Sequence, residues 1–572
     1  MVGIRGLVLL AIMLVVVACG GGLERIASSP VAAINASLPT TAKKATTVTG
    51  GSAVVIHMYQ ALYGVPPSYA LLNAQTAQAN TDAPALAKYL TNSFASTSNA
   101  ALAKLVLDNL GVNSATVTAV NAQGQSEYAV LLNALEQLFA FYGADARGQI
   151  ILNATNLLVD LEKDATYGLA AIAYNKQASA NLASSSNSSV PVVPRPGFVK
   201  GVFTMDVGGW MPGTYARGLF EPTYDRIPSQ VGGNLVAISD PVFVTDFDAI
   251  KGVVTMSTSE RPAGAWTMLT RDQYTKLAAS AHGRGMAFML QLGLYPSMSL
   301  SSKYFSEIFG IADTNETFWD AWFAAYQPIV LAYAVIGRDL NIEYLSLGMN
   351  HGFMTRLPVK YWTRLVAAIR ATGYAGKLVY QAGVGFQYST AEFLDFNGGW
   401  IGTESERQAK RLEFVKLFDA IILNVYSVAR DRTTPRSISR DEMKQSFRWL
   451  LAQVNGYPVP LMVMVGTPSV YGGAVDPEYI EPCLVCNSVA QDRQRDDLQQ
   501  ADVYEALAEV VNETPTGIGN IMGVLSWGYW FTDDYYSWTN EWGQTADMAY
   551  DKSANVRGKL AEIVLKWWFD RW

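Results

Sequence analysis

A helical domain followed by an α/β domain of eight strand-then-helix units, the (β/α)8 TIM barrel, is the fold class the sequence predicts. Three observations carry it. All 14 tryptophans fall between Trp210 and Trp572, so the first 209 residues differ in chemistry from the rest. Before residue 181, apolar side chains recur at spacings of three and four, the period of helices. After residue 197, eight β-branched or apolar runs alternate with helix-like stretches or long loops.

Composition narrows the function classes. Half of the 572 residues are hydrophobic and 16% are charged, enough for a sizeable core. Forty-two basic against 49 acidic residues leave a net charge of −7, which argues against a nucleic-acid partner. Only three His and three Cys occur, too few to favour a metal centre built from them, and no cofactor is expected.

Residues 1–18 hold a basic start at Arg5 and an apolar run from Leu7 to Val17, as an export signal does. That run is too short to span a bilayer. Its end, Val16-Val17-Ala18-Cys19, resembles the bacterial lipobox, which implies lipidation of Cys19 and a membrane anchor through that lipid. Gly20, Gly21 and Gly22 follow with no Asp beside the Cys, which by the same resemblance implies the outer membrane in a Gram-negative cell. Residues 19–51, rich in Ala, Thr and Ser, read as a flexible tether. In an oxidising compartment, Cys483 and Cys486 are expected to close a small disulfide loop.

The helical domain is expected over 52–180. Val54, Met58, Ala61 and Leu62 share a face, as do Leu102, Leu105, Val106 and Leu110, and then Leu131, Leu135, Leu138 and Phe139. Its opening, Tyr59-Gln-Ala-Leu62-Tyr-Gly64-Val-Pro66, resembles helical domains of unknown function in secreted bacterial proteins. Those usually carry Arg where this chain has Val65. No catalytic groups cluster here, so a spacer or docking role is expected. A Ser/Pro linker over 181–197 separates this domain from the barrel over 198–572.

The eight runs are 199–206, 234–239, 286–291, 342–347, 377–381, 420–426, 460–465 and 522–530, with helices at 271–282, 317–336, 360–371, 407–417, 441–454 and 496–511. A doubly wound sheet is the alternative. It would want a Gly-rich phosphate turn, which Met205-Asp-Val-Gly-Gly-Trp210 does not supply.

Barrel chemistry sits at the C-terminal ends of strands. The first strand ends at Asp206 with Trp210 close behind, the third at Gln291 and Tyr295, and the fourth at Gly348, Asn350 and His351. The fifth brings Gln381, the sixth Asn424 and Tyr426, and the eighth Trp527, Tyr529, Trp530, Asp533 and Asp534. Aromatic rings, amides and carboxylates converging on one face suit sugar recognition: rings stack on C–H faces while polar groups take hydroxyls.

Several segments then resemble the barrel β-mannanases and their glycosidase relatives. They are Trp319-Asp-Ala-Trp322-Phe323-Ala-Ala-Tyr326, Leu345-Ser-Leu-Gly348, the stretch from Arg370 to Tyr380, and Asn555-Val-Arg557-Gly558-Lys559 with Trp568 and Phe569. The likeness covers about residues 198–570. It implies an acid/base Glu after the fourth strand and a nucleophile Glu after the seventh, with carboxyls about 5–5.5 Å apart. Those places fall on or beside Asn350 and near Val465 and Gly466. Neither is a carboxylate. Asn350 cannot protonate a leaving group, and Glu343 starts its strand, at the wrong end of the barrel.

Asp206 and Asp533 follow strands that adjoin in a closed barrel, and are the candidate catalytic pair for an inverting reaction. Glu404, Glu406 and His351 are further acid/base candidates. The expectation is an envelope-anchored carbohydrate-active lipoprotein whose barrel binds a polysaccharide, with or without hydrolysis. The alternative is a non-catalytic glycan-binding or structural envelope protein in polysaccharide assembly or export.

Overall fold

A computed structural model describes residues 50–186, 191–204, 220–258, 269–297, 300, 307–308, 311–349, 357–384, 403–429, 435–476, 493–514, 520–529 and 551–572. Among the expected site residues, Cys19, Asp206, Trp210, Asn350, His351, Cys483, Cys486, Trp530, Asp533 and Asp534 lie outside the described residues. The chain divides into two compact units, Met1–Pro191 and Val192–Trp572.

In the first unit, apolar residues at helical spacing form six α-helices: α1 (Gly51–Tyr63), α2 (Tyr69–Thr91), α3 (Asn99–Asn109), α4 (Glu127–Tyr142), α5 (Arg147–Val159) and α6 (Gly168–Ser186). Ser68 caps α2 by accepting from the Leu71 amide, and Ser98 caps α3 by accepting from Ala101. The faces read from the sequence turn inward: Met58, Leu62, Leu102, Val106, Leu135 and Phe139 are buried. Gly148 lets α5 cross α2 closely, since a Cβ there would lie 2.5 Å from the Ala87 backbone.

In the second unit the strands are β1 (Val199–Phe203), β2 (Leu235–Asp248), β3 (Val253–Ser257), β4 (Ala287–Pro296), β5 (Tyr344–Met349), β6 (Lys377–Val384), β7 (Ala420–Val425), β8 (Leu461–Val465) and β9 (Ile521–Trp527). Eight of them pair in parallel in the order β1-β9-β8-β7-β6-β5-β4-β2. The pairing of β1 with β2 closes the ring. This is the predicted TIM barrel, with every expected run a strand. Helices α7 (Glu221–Arg226), α8 (Arg271–Gly283), α9 (Glu316–Asp339), α10 (Lys360–Ala371), α11 (Glu404–Val415), α12 (Arg440–Gln453), α13 (Asp497–Glu513) and α14 (Leu560–Phe569) accompany them.

Two features depart from the sequence reading. Strand β2 does not stop at Ser239 but runs to Asp248, and β3 pairs with it antiparallel. Its alternation is hidden by Pro241 and by a register shift between Val244 and Asp246. The barrel interior is filled, as a packed core and not a pore, by Phe203, Ala237, Met289, Tyr344, Val379, Ile422, Met462, Met464, Leu525 and Trp527.

Candidate functional site

Side chains alternate along a strand, so the core residues identify which positions face the barrel axis. Moving up each strand by two, the layer above the apolar core is polar. It holds Gln291 on β4, Ser346 on β5, Gln381 on β6 and Asn424 on β7, all buried. The Gln291 amide nitrogen donates to Gln381 Oε1 and, at 3.3 Å, to Ser346 Oγ. That leaves Gln291 Oε1 and Asn424 Oδ1 with no partner among the described residues. Unpaired buried acceptors are costly, and such atoms ask for a donor.

Past the bulge in β2, Asp246 and Asp248 lie on the axis side of that strand's extension, but up to and including this layer no axis-facing position among the described residues carries Asp or Glu. The charged one is Lys377, at the N-terminal start of β6, with Nζ 5.6 Å from the Tyr344 ring. Glu343 lies at that same end, where its carboxylate accepts from the Phe288 amide at 2.8 Å and lies 3.2 Å from His282 Nε2. Glu406 is also accounted for: it accepts from the Thr403 amide in the capping box that starts α11, and those bonds hold its carboxyl below the ordinary range.

The wall beside this layer is aromatic. Trp527 ends β9 with its ring 5.2 Å from Phe203 and 6.3 Å from Tyr426. It is 1% exposed. The ring closes the barrel interior, and its indole N–H has no partner among the described residues. Tyr295 on β4 and Tyr426 after β7 are half-buried and pack against the same core.

Gly466, just past β8, lies with Val465 near the place where the glycosidase resemblance would put the nucleophile. A Cβ there would meet the Tyr426 ring at 2.7 Å and the Trp527 Cβ at 3.1 Å. The space is therefore closed as well as uncharged. On the opposite wall, β5 carries a register shift against β4 between Gln291 and Gly293, and Gly348 has φ +98. A Cβ at Gly348 would lie 2.6 Å from the Gln381 carbonyl oxygen, so this bulge requires glycine.

A buried ion pair supports the β8 and β9 ends from behind. Lys559 Nζ lies 3.2 Å from Asp551 Oδ2 and donates to Ser469 Oγ at 2.8 Å and to the Ser553 carbonyl at 3.0 Å. Tyr504 on α13 donates to the Val465 carbonyl at 3.0 Å. On the outer face of β2, Asp240 accepts from the Tyr333 hydroxyl at 3.3 Å, and burial pushes its carboxyl up to about 7.

The sequence reading named Gln291, Gln381, Asn424 and Tyr426, and the structure brings them to one end of the barrel. It named Gly466 only as a place lacking a carboxylate, and missed Ser346 as a site-shaping residue. The signal for Ser346 was strand parity, which is usable only once the strand ends are known.

Among known proteins, the family model described as Glycoside Hydrolase Family 113 matches residues 303–515, a little over a third of the chain. No curated protein matches it. Of solved structures, a GH113 beta-1,4-mannanase shares 17% identity, covers 65% of this chain and 99% of its own, and has a TM-score of 0.44. The GH113 beta-mannanase AaManA from Alicyclobacillus acidocaldarius shares 18% identity over 65% and 97%, with a TM-score of 0.40. A family 1 β-glucosidase from Thermotoga maritima shares 12% over 67% and 99%, with a TM-score of 0.38. The barrel is established by its own strand pairing. Over residues 303–515 the chain thus matches the family model of Glycoside Hydrolase Family 113, within a barrel whose polar layer of Gln291, Ser346, Gln381 and Asn424 holds no carboxylate.

Proposed function

We propose that the barrel binds a polysaccharide at the C-terminal ends of its strands, and that Cys19 lipid anchors the chain in the cell envelope. The observation that carries the binding reading is the neutral polar layer. Gln291 Oε1 and Asn424 Oδ1 are buried acceptors awaiting donors, beside the half-buried rings of Tyr295 and Tyr426. Sugar hydroxyls supply such donors, and C–H faces suit such rings. Asn350, His351, Trp210, Trp530 and Asp534, which follow strand ends in the sequence, belong to the same reading. The helical unit serves as spacer or docking module, and the outer membrane is the proposed address.

Hydrolysis is the second reading, favoured by the family match. With Gly466 crowded by Tyr426, a retaining mechanism through that position has no room for its nucleophile. An inverting reaction would draw on Asp206 and Asp533, which follow the paired strands β1 and β9. A glycan array on the mature chain, followed by product analysis of every hit, tests both. Binding without products supports a capture role. Turnover that inverts the anomer and collapses in Asp206→Asn or Asp533→Asn supports hydrolysis. Binding to no glycan sinks the glycan reading.

A further inference from the structure

One side of the barrel rim is built higher than the rest. Strands β2 and β4 have 14 and 10 residues, where β1 and β8 have five. They stay in register from Leu235 opposite Ala287 to Val244 opposite Pro296, and β3 adds a third strand. Tyr295 stands four residues beyond Gln291 along β4, or about 13 Å at a strand's rise. That is farther than one pyranose ring reaches.

Parity puts the side chains of Phe243 and Tyr295 on the axis-facing side of this blade, above Ser239 and Gln291. The two rings are 6.2 Å apart. Phe243 is buried and backs the wall, while Tyr295 and Ser257, which pairs with Phe243, stay partly exposed.

The blade is also held rigid. On its other side Phe247 packs edge-on against Phe318 of α9 at 6.2 Å. Asn315, the cap of α9, donates to the Ala249 carbonyl at 3.0 Å in the β2–β3 turn. A Cβ at Gly252 would lie 2.6 Å from Thr317, so turn and helix are in close contact. A wall fixed this way needs no ordering when a ligand lies on it.

We infer that the β2–β3–β4 blade is an outer sugar-binding subsite, with Tyr295 as its ring platform. The barrel then takes a linear oligosaccharide of at least three units, with one unit at the Gln291–Asn424 layer and a later one along the blade. This rests on the glycan-binding reading above and adds to it a length requirement and a residue.

The test is calorimetric titration of the full mature chain with ladders of β-1,4-linked gluco-, manno-, galacto- and xylo-oligosaccharides of one to six units. Affinity should still rise as length passes two units. Tyr295→Ala should lower it roughly tenfold for the longer members and leave the shortest binder unchanged, whereas Tyr295→Phe should keep the full length dependence. The phenylalanine variant also separates loss of a platform from loss of fold. Length-independent affinity in the unaltered protein, or equal losses at every length in Tyr295→Ala, would overturn the subsite while leaving glycan binding standing. No binding by any ladder would remove both.

Discussion

The ring of Tyr426 lies against Gly466, so close that a Cβ on that glycine would fall 2.7 Å from two of its carbons. The ring in turn sits 6.3 Å from Trp527, which is itself fixed against Phe203. Trp527 is buried in the barrel core, and Tyr426 is half-buried against it.

Gly466→Ala should therefore cost about 1–3 kcal/mol through overpacking, read as a shift in the urea midpoint at constant slope. Gly466→Glu should cost at least as much and yield no glycosyl–enzyme adduct with a mechanism-based fluoro-sugar. A stable, labelled Gly466→Glu protein would show that Tyr426 leaves room for a nucleophile.

Trp527 is a core residue by its burial. Trp527→Ala should lose about 3–5 kcal/mol of stability, the usual cost of a large ring removed from a packed interior. Thermal melting of the variant measures it. An unchanged melting temperature with weakened glycan binding would restore the ring as a platform.

Asp240 gives a pH signature. Burial raises its carboxyl to about 7, and only the Tyr333 hydroxyl bond works against that. The folded chain thus holds a proton that the unfolded chain releases near 3.9. This contribution is complete below that value and is lost as pH rises through about 7. Asp240→Asn should be nearly neutral at pH 4 and stabilising at pH 8, by on the order of 4 kcal/mol. Equal effects at both values would mean that Asp240 titrates normally.

Removing one half of the Lys559–Asp551 pair strands the other. Both side chains are at most 5% exposed. Lys559→Met should cost about 3–5 kcal/mol, and adding Asp551→Leu should recover much of it. Denaturation of the single and double variants forms the cycle. Additive losses would mean that the two charges do not depend on each other.

Cys19 is expected to carry lipid. Cys19→Ser should abolish palmitate labelling and leave the precursor unprocessed at that position. Unchanged labelling would end the lipoprotein proposal.

Much of the barrel was legible from residues alone, because strand and helix patterns are local. The run 460–465 is apolar along its whole length, and 420–426 is broken chiefly by Asn424, as suits strands covered on both faces. Amphipathic stretches such as 360–371 put Trp362, Leu365 and Ile369 on the buried side. Strand β3 was not legible, since 253–257 is half-exposed and pairs only through the extension of β2.

The sequence by itself determined the eight barrel strands and six of the eight helices that accompany them, the polar residues at the strand ends, and the absence of Glu from positions 350 and 466. Only the tertiary structure decided which of those polar residues meet. Gln291 reaches Gln381 across 90 residues, and Gly466 meets a ring 40 positions earlier. Such meetings depend on barrel closure and strand stagger, which are collective properties of eight paired strands. Trp527 shows the same division: its place at a strand end is local, but its burial follows from Phe203 and Tyr426 closing around it.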